Sequence, residues 1–203
     1  MGNQVLLVCG MAAGPLFTVA YLLEGAGRVG YRPRRHPVSS LTLGPAGWAQ
    51  TVNFLFAGGL SLAFAVALWR VGPFEWGALL VGAWAVGLLG AGAFRTDPVS
   101  GYPPGTPDRL RRHTRAGALH DLFSSIGFLA LAAACFVYAP SGPPGWAVCS
   151  IACGVLFVAT MALASAAFDQ RQRWVDIGGL LQRISLTIGW AWQLLLAVRI
   201  LNT

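Results

Sequence analysis

The chain has 203 residues, of which 56% are hydrophobic and only 10% are charged. A soluble domain carries roughly 25% charged residues, so this chain lacks the polar surface that a soluble fold requires. The formal net charge of +7 would suit nucleic-acid binding in a soluble protein, but here the basic residues, all arginine, lie mainly in connections between apolar segments. We therefore expect an integral protein of the lipid bilayer that binds no nucleic acid.

Six apolar segments have the length of a membrane-spanning helix, which needs about 20 residues. In chain order they cover residues 5–23, 48–69, 76–94, 117–138, 146–168 and 177–200. Unpaired backbone groups are costly in hydrocarbon, so continuous apolar runs must close their hydrogen bonds as helices. The sequence predicts an all-α fold, a single six-helix transmembrane bundle. We interpret the first segment as a span and not as a cleavable signal peptide, because no basic residue precedes it.

The arginines are distributed unequally between the two sides of the predicted bundle. The connections after the first, third and fifth segments hold eleven arginines, whereas the opposite side holds two, Arg70 and Arg199. Cytoplasmic loops carry an excess of basic residues. This pattern predicts a bacterial cytoplasmic membrane protein with its odd-numbered connections in the cytoplasm and both termini outside.

Small residues within the segments indicate close helix packing. Glycine occurs 26 times, and Gly10 and Gly14 form a GxxxG motif in the first segment. Small residues let membrane helices approach closely, which predicts packing within the bundle, with homodimerisation as the alternative. The four cysteines all fall within apolar segments, where we interpret them as small hydrophobic residues.

Polar residues gather at one depth of the predicted bundle, just inside its cytoplasmic boundary. They are Asn53, Asp97, His120, Asp121, Gln182 and Arg183. His113 would share a helix face with His120 if the fourth helix began before it, and the first loop adds His36. Ionisable groups inside a membrane bundle are costly, so they are candidates for a functional site.

Three interpretations of this cluster stay open. In the first, Arg183 pairs with Asp97 or Asp121 and the network only holds the helices in register. In the second, the cluster forms a pocket for a lipophilic small molecule, open to the cytoplasmic leaflet. The third is a proton or ion pathway in a transporter, which the scarcity of polar residues in the outer halves disfavours, since Gln193 is nearly alone there.

As a catalytic pocket, the cluster would perform acid/base chemistry. Asp97 or Asp121 would act as acid or base with His120 as partner, because burial brings carboxyl and imidazole groups towards neutrality. Asn53 and Arg183 would orient a substrate, and His36 and His113 would contribute to the rim. Aromatic residues would stabilise a cationic intermediate of isoprenoid isomerisation or cyclisation, unless they serve packing alone: Phe54, Phe94, Phe123, Trp190 and Trp192.

No cofactor is predicted, although a protein-bound metal stays open. Histidine and carboxylate ligands together suit zinc or iron. On one helix, however, His113 and His120 would be about 10.5 Å apart along the axis. They could share one ion only if His113 precedes the helix and folds back.

Several motifs in order along the chain carry a family resemblance. They are Gly14-Pro15-Leu16-Phe17, the run from His36 through Gly47-Trp48 to Asn53-Phe54, Thr96-Asp97-Pro98, Pro103-Pro104-Gly105, His113 with His120, and Gly189-Trp190-Ala191-Trp192. This set resembles the bacterial family catalogued as domain-of-unknown-function 998. The resemblance implies a six-span bacterial membrane protein, and it implies no reaction and no catalytic residues.

Overall fold

The computed structural model describes residues 2–110, 112–169 and 172–202. Within these ranges the chain forms α1 (Gly2–Gly27), α2 (Gly47–Val71), α3 (Glu75–Ala93), α4 (Arg115–Tyr138), α5 (Pro144–Phe168) and α6 (Gly178–Leu201). Short 3-10 helices cover Val38–Thr42, Ala139–Ser141 and Gln172–Ile177. Six helices of the described chain are long and apolar enough to cross a membrane. The predicted all-α bundle of six spans is confirmed.

The helix ends differ from the predicted spans by at most four residues. At α4, a side-chain cap marks where the helix begins. The hydroxyl of Thr114 accepts a hydrogen bond from the Gly117 N–H (3.0 Å), so α4 begins at Arg115. His113 therefore precedes α4, and the condition under which it would share a helix face with His120 is not met.

The six helices form a closed ring in chain order, because α6 packs against both α5 and α1. Glycines allow the close approaches. A Cβ atom on Gly10 would lie 2.4 Å from the Phe64 ring of α2, and one on Gly14 would lie 2.6 Å from Trp190 of α6. The GxxxG motif thus packs within the bundle, as predicted. The homodimer stays a prediction.

A buried amide joins four helices in the middle of the ring. Gln193 of α6 donates from Nε2 to the Gly10 carbonyl of α1 (3.2 Å) and accepts from Trp84 Nε1 of α3 (3.1 Å). Its amide also lies within hydrogen-bond distance of Ser61 Oγ of α2. Polar groups that would be costly in hydrocarbon are satisfied here by each other, which fixes the helix register.

The connections α1–α2, α3–α4 and α5–α6 all lie at one end of the bundle, called here the loop end. Arg35 links all three, because its guanidinium donates to the Ser100 carbonyl (3.1 Å), Asp108 (2.8 Å) and Asp176 (2.7 Å). The placement of the loop end in the cytoplasm stays a prediction. Arg111 and Arg171, two arginines on which it rests, lie outside the described residues, and only the backbone of Arg173 is described.

Candidate functional site

A cavity of about 650 Å³ lies inside the bundle at the loop end. All six helices contribute residues to its walls, and the loop residues Val38 and Leu110 line it as well. Aromatic side chains line it: Phe17, Phe54, Trp84, Phe128, Phe157 and Phe168. Ionisable side chains line it as well: Asp97, Arg109, His113, His120, Asp121 and Asp169. The cavity therefore joins an apolar aromatic wall to a charged one.

The cavity opens sideways between α4 and α5. Cavity residues on both helices are also exposed on the outer surface of the bundle: Ser125, Leu129, Val158, Ala162 and Ser165. Leu129 is 66% exposed although it belongs to the cavity wall.

Asp97 lies at the N-terminus of α4 and is 6% exposed. One carboxylate oxygen accepts from the Thr114 N–H (2.8 Å) and the other from the Thr114 hydroxyl (2.8 Å). The carboxylate rests on the backbone of Gly117, where a Cβ would lie 2.1 Å from Oδ2. A negative charge at a helix N-terminus is favourable, so Asp97 ties the end of α3 to the start of α4.

His120 fastens α4 to the C-terminal end of α3. Its Nδ1 lies 3.0 Å from the carbonyl oxygens of both Ala91 and Phe94. Carbonyl oxygens only accept, so Nδ1 carries a proton, and in this tautomer Nε2 is an acceptor. Nε2 has no hydrogen-bond partner among the described residues, and His120 lines the cavity.

His113 and Asp121 stand where the cavity meets solvent. The Nδ1 atom of His113 lies 3.7 Å from Asp121 and 3.9 Å from Asp97, and the His113 side chain is 62% exposed. His113 thus precedes the helix and folds back towards it. Even so, the described residues contain no group of three histidine, cysteine or carboxylate side chains that could hold a metal ion.

Four of the predicted site residues do not line the cavity. Asn53 is buried behind the wall, where its amide donates to the Phe17 carbonyl (3.1 Å). Trp190 also lies one layer back, with its ring 5.2 Å from that of Trp84. Arg183 points towards the α1–α2 loop, where it donates to the carbonyls of Pro33 and His36 and to the Tyr31 hydroxyl. It pairs with neither Asp97 nor Asp121.

His36, the fourth of these residues, is 3% exposed and packs between Tyr31 and Tyr102. Its Nδ1 accepts from the Arg32 N–H (2.9 Å). Burial, and next the neighbouring charge of Arg35, lowers its pKa to about 4. Burial also raises the pKa of Tyr31 to about 12, which leaves its hydroxyl protonated and able to donate to the Pro37 carbonyl (3.0 Å). His36 therefore packs the loops together at neutral pH as an uncharged side chain.

Some residues that hold the cavity wall and its loops in place were missed in the sequence. Thr114 could have been predicted as the N-cap of α4, because threonine directly before an apolar helical segment is a typical N-cap residue. Gln182, which was assigned to the cluster but to no role, lines the cavity and accepts from the Val38 N–H (2.7 Å). The ion pairs of Arg35 could not be predicted from the residues around it, because its partners Asp108 and Asp176 are remote in sequence.

A family model described as "Protein of unknown function (DUF998)" matches residues 11–199. The chain belongs to this family. No curated protein and no solved structure matches the chain. The matched region of this DUF998 protein encloses all the residues that line the cavity, from Phe17 to Leu186. It is thus a multi-pass membrane protein of a family to which no reaction is assigned, and the resemblance found in its motifs is confirmed.

Proposed function

We propose that this DUF998 protein binds a lipophilic small molecule in the loop-end cavity and performs acid/base chemistry on it. Isomerisation or cyclisation of an isoprenoid-like molecule is the reaction class that we favour. One observation carries the proposal, namely an aromatic cavity of about 650 Å³ lined by His120, whose Nε2 has no hydrogen-bond partner among the described residues. Small-molecule sites typically have volumes of about 300–1,000 Å³, apolar walls and a few polar groups.

The gap between α4 and α5 would admit the molecule from the bilayer. The exposed apolar side chains of Leu129 and Val158 border this gap, and Ser125 and Ser165 lie nearby. A hydrocarbon chain that passes between such side chains stays in apolar surroundings throughout. This access supports a membrane-dissolved substrate over a water-soluble one.

Of the three catalytic residues proposed from the sequence, His120 suits the role of base and Asp121 suits the role of acid better than Asp97 does. His120 is the best base, because the α3 carbonyls hold its Nδ1 proton in place and leave Nε2 free to take a second proton. Asp121 is the better acid, since both oxygens of Asp97 already accept from Thr114. In acid-initiated chemistry, Asp121 would protonate a double bond and His120 would later remove a proton from the cation.

Aromatic faces support a cationic intermediate in this cavity. Trp84, Phe128 and Phe157 line its wall, and their ring faces attract a positive charge. Three aromatic residues that the sequence analysis expected here pack elsewhere. Phe94 and Phe123 stack on each other (5.6 Å), and Trp192 packs beside Tyr138. None of these three lines the cavity.

A structural role is the second candidate, and two specific contacts favour it. Asp97 caps α4 through Thr114, and Arg183 holds the α1–α2 loop. Both would be needed in a bundle without any activity. A transport pathway has less support, because Trp84 at the cavity wall is hydrogen-bonded to the buried Gln193 in the middle of the ring.

Binding of geranylgeraniol, a C20 isoprenoid alcohol, to the protein in lipid nanodiscs tests the proposal. Ala162→Trp places an indole at the cavity wall, whereas Ala159→Trp places one on the same helix at an exposed position outside that wall. We expect saturable binding that Ala162→Trp weakens at least about tenfold and Ala159→Trp leaves unchanged. Equal binding by the two variants and the unmodified protein would refute a ligand site in the cavity.

A further inference from the structure

We propose that the ligand carries a polar group that donates a hydrogen bond and has no negative charge, as the hydroxyl of a lipid alcohol does. We propose further that this group meets Nε2 of His120 while the hydrocarbon chain lies along the aromatic wall. This inference rests on the proposed function and specifies the chemical class of its ligand.

The hydrogen bonds of His120 decide which group it can receive. Its Nδ1 proton is held by the carbonyls of Ala91 and Phe94, both at 3.0 Å, so in this tautomer Nε2 offers only a lone pair. The ring itself is held in place, because Phe54 packs edge-on against it with centroids 6.2 Å apart. A ligand that brings another acceptor, such as an ether or a carboxylate, would leave Nε2 without a partner. A hydroxyl would satisfy it.

The charges around the cavity select against an anion. Among the described side chains that line it, Arg109 is the one arginine, and the carboxylates of Asp97 and Asp121 lie closest to His113, whose Nδ1 is within 4 Å of each. A phosphate or carboxylate headgroup beside His120 would be repelled by the carboxylates of Asp97 and Asp121 in surroundings of low dielectric constant.

The arrangement of the walls orients the ligand. His120 is near the N-terminus of α4, whereas Phe128 lies about two turns further along the same helix, towards the middle of the bundle. Phe157 and Trp84 line the cavity as well, with the Phe157 ring 5.6 Å from that of Phe128. A lipid alcohol would thus have its hydroxyl at the loop end and its chain directed into the membrane, the same orientation that it has in a bilayer.

Three ligands that share one hydrocarbon chain test this inference in nanodiscs: geranylgeraniol, its methyl ether and its monophosphate. We expect the ether to bind about three- to tenfold more weakly than the alcohol, because it leaves a buried acceptor unpaired. We expect the monophosphate to bind at least about tenfold more weakly. In His120→Leu, the alcohol and the ether should bind equally.

The outcomes separate this inference from the proposed function. If alcohol and ether bind the unmodified protein equally, and Ala162→Trp still blocks both, the cavity binds lipids but the donor inference is wrong. If the monophosphate binds most tightly, the polar end is an anion site built on Arg109. If Ala162→Trp affects no ligand, the proposed function itself fails. The comparison in the unmodified protein decides the matter even where His120→Leu does not fold.

Discussion

The Nδ1 atom of His120 in α4 lies 3.0 Å from the carbonyl oxygen of Ala91 in α3. The last carbonyls of a helix have no partner within it, so this contact caps α3 with a side chain of the neighbouring helix. The same bond leaves the second ring nitrogen for the cavity. Under the proposed function, stability and ligand recognition would therefore depend on different atoms of one residue.

Substitution of His120 should separate these two roles. His120→Leu removes the hydrogen bond to α3 and should destabilise the bundle by about 1–3 kcal/mol. His120→Asn keeps an N–H donor at a similar distance and should retain most of that stability. Thermal unfolding in detergent measures both variants. Equal melting temperatures for His120→Leu and the unmodified protein would show that the contact with Ala91 contributes nothing to stability.

Asp97 and Thr114 should behave as one unit. Asp97→Asn removes the charge at the start of α4, and Thr114→Ala removes the cap, so each should cost about 1–2 kcal/mol. Because the two side chains bond each other, the double variant should lose less than the sum of the single variants. Fully additive losses in thermal unfolding would mean that the two residues act independently.

Gly117 should tolerate no side chain, unlike another helical glycine of the bundle. A Cβ at Gly117 would lie 2.1 Å from Asp97 Oδ2, whereas a Cβ at Gly59 would meet nothing within 4 Å. We expect Gly117→Ala to lower the melting temperature and Gly59→Ala to leave it unchanged or raise it, since alanine favours helices by up to about 1 kcal/mol over glycine. Similar effects of both substitutions would contradict the close approach of Asp97 to α4.

The depth of the polar cluster could be predicted from the sequence, but its direction could not. Depth follows from the number of residues between a side chain and the end of its span. Direction depends on which helices are neighbours, and only the closed ring decides that. Arg183 thus shares the depth of Asp97 yet points to the α1–α2 loop, and Asn53 lies behind Phe17. Asp97, His120 and Asp121 meet at the cavity because α3 and α4 are adjacent.

Acid should loosen the loop end through His36. Its pKa is lowered from 6.5 to about 4, so between these values the folded protein binds fewer protons than the unfolded one. The stabilisation is complete above pH 6.5 and is lost as the pH falls towards 4. The groups that face His36 are Tyr31, Arg32, Arg35, Ser100, Tyr102 and Arg183.

Hydrogen exchange of residues 28–46 measures this effect, after correction for the intrinsic rate at each pH. We expect protection to fall between about pH 7 and about pH 4.5 in the unmodified protein, in the direction that linkage requires. His36→Gln has no titrating ring and should show little change over the same range. Constant protection of the unmodified protein would exclude His36 as a pH-sensitive contact.

The most direct test of a lipid site in the cavity is a photo-crosslinking map. The probe is geranylgeraniol with a diazirine near the far end of its chain, in nanodiscs with the unmodified protein. We expect labelling to concentrate at the aromatic wall, on Trp84, Phe128 and Phe157, and excess geranylgeraniol to abolish it. Labelling spread over outward-facing residues such as Leu23 and Val148, unchanged by excess geranylgeraniol, would contradict a binding site inside the bundle.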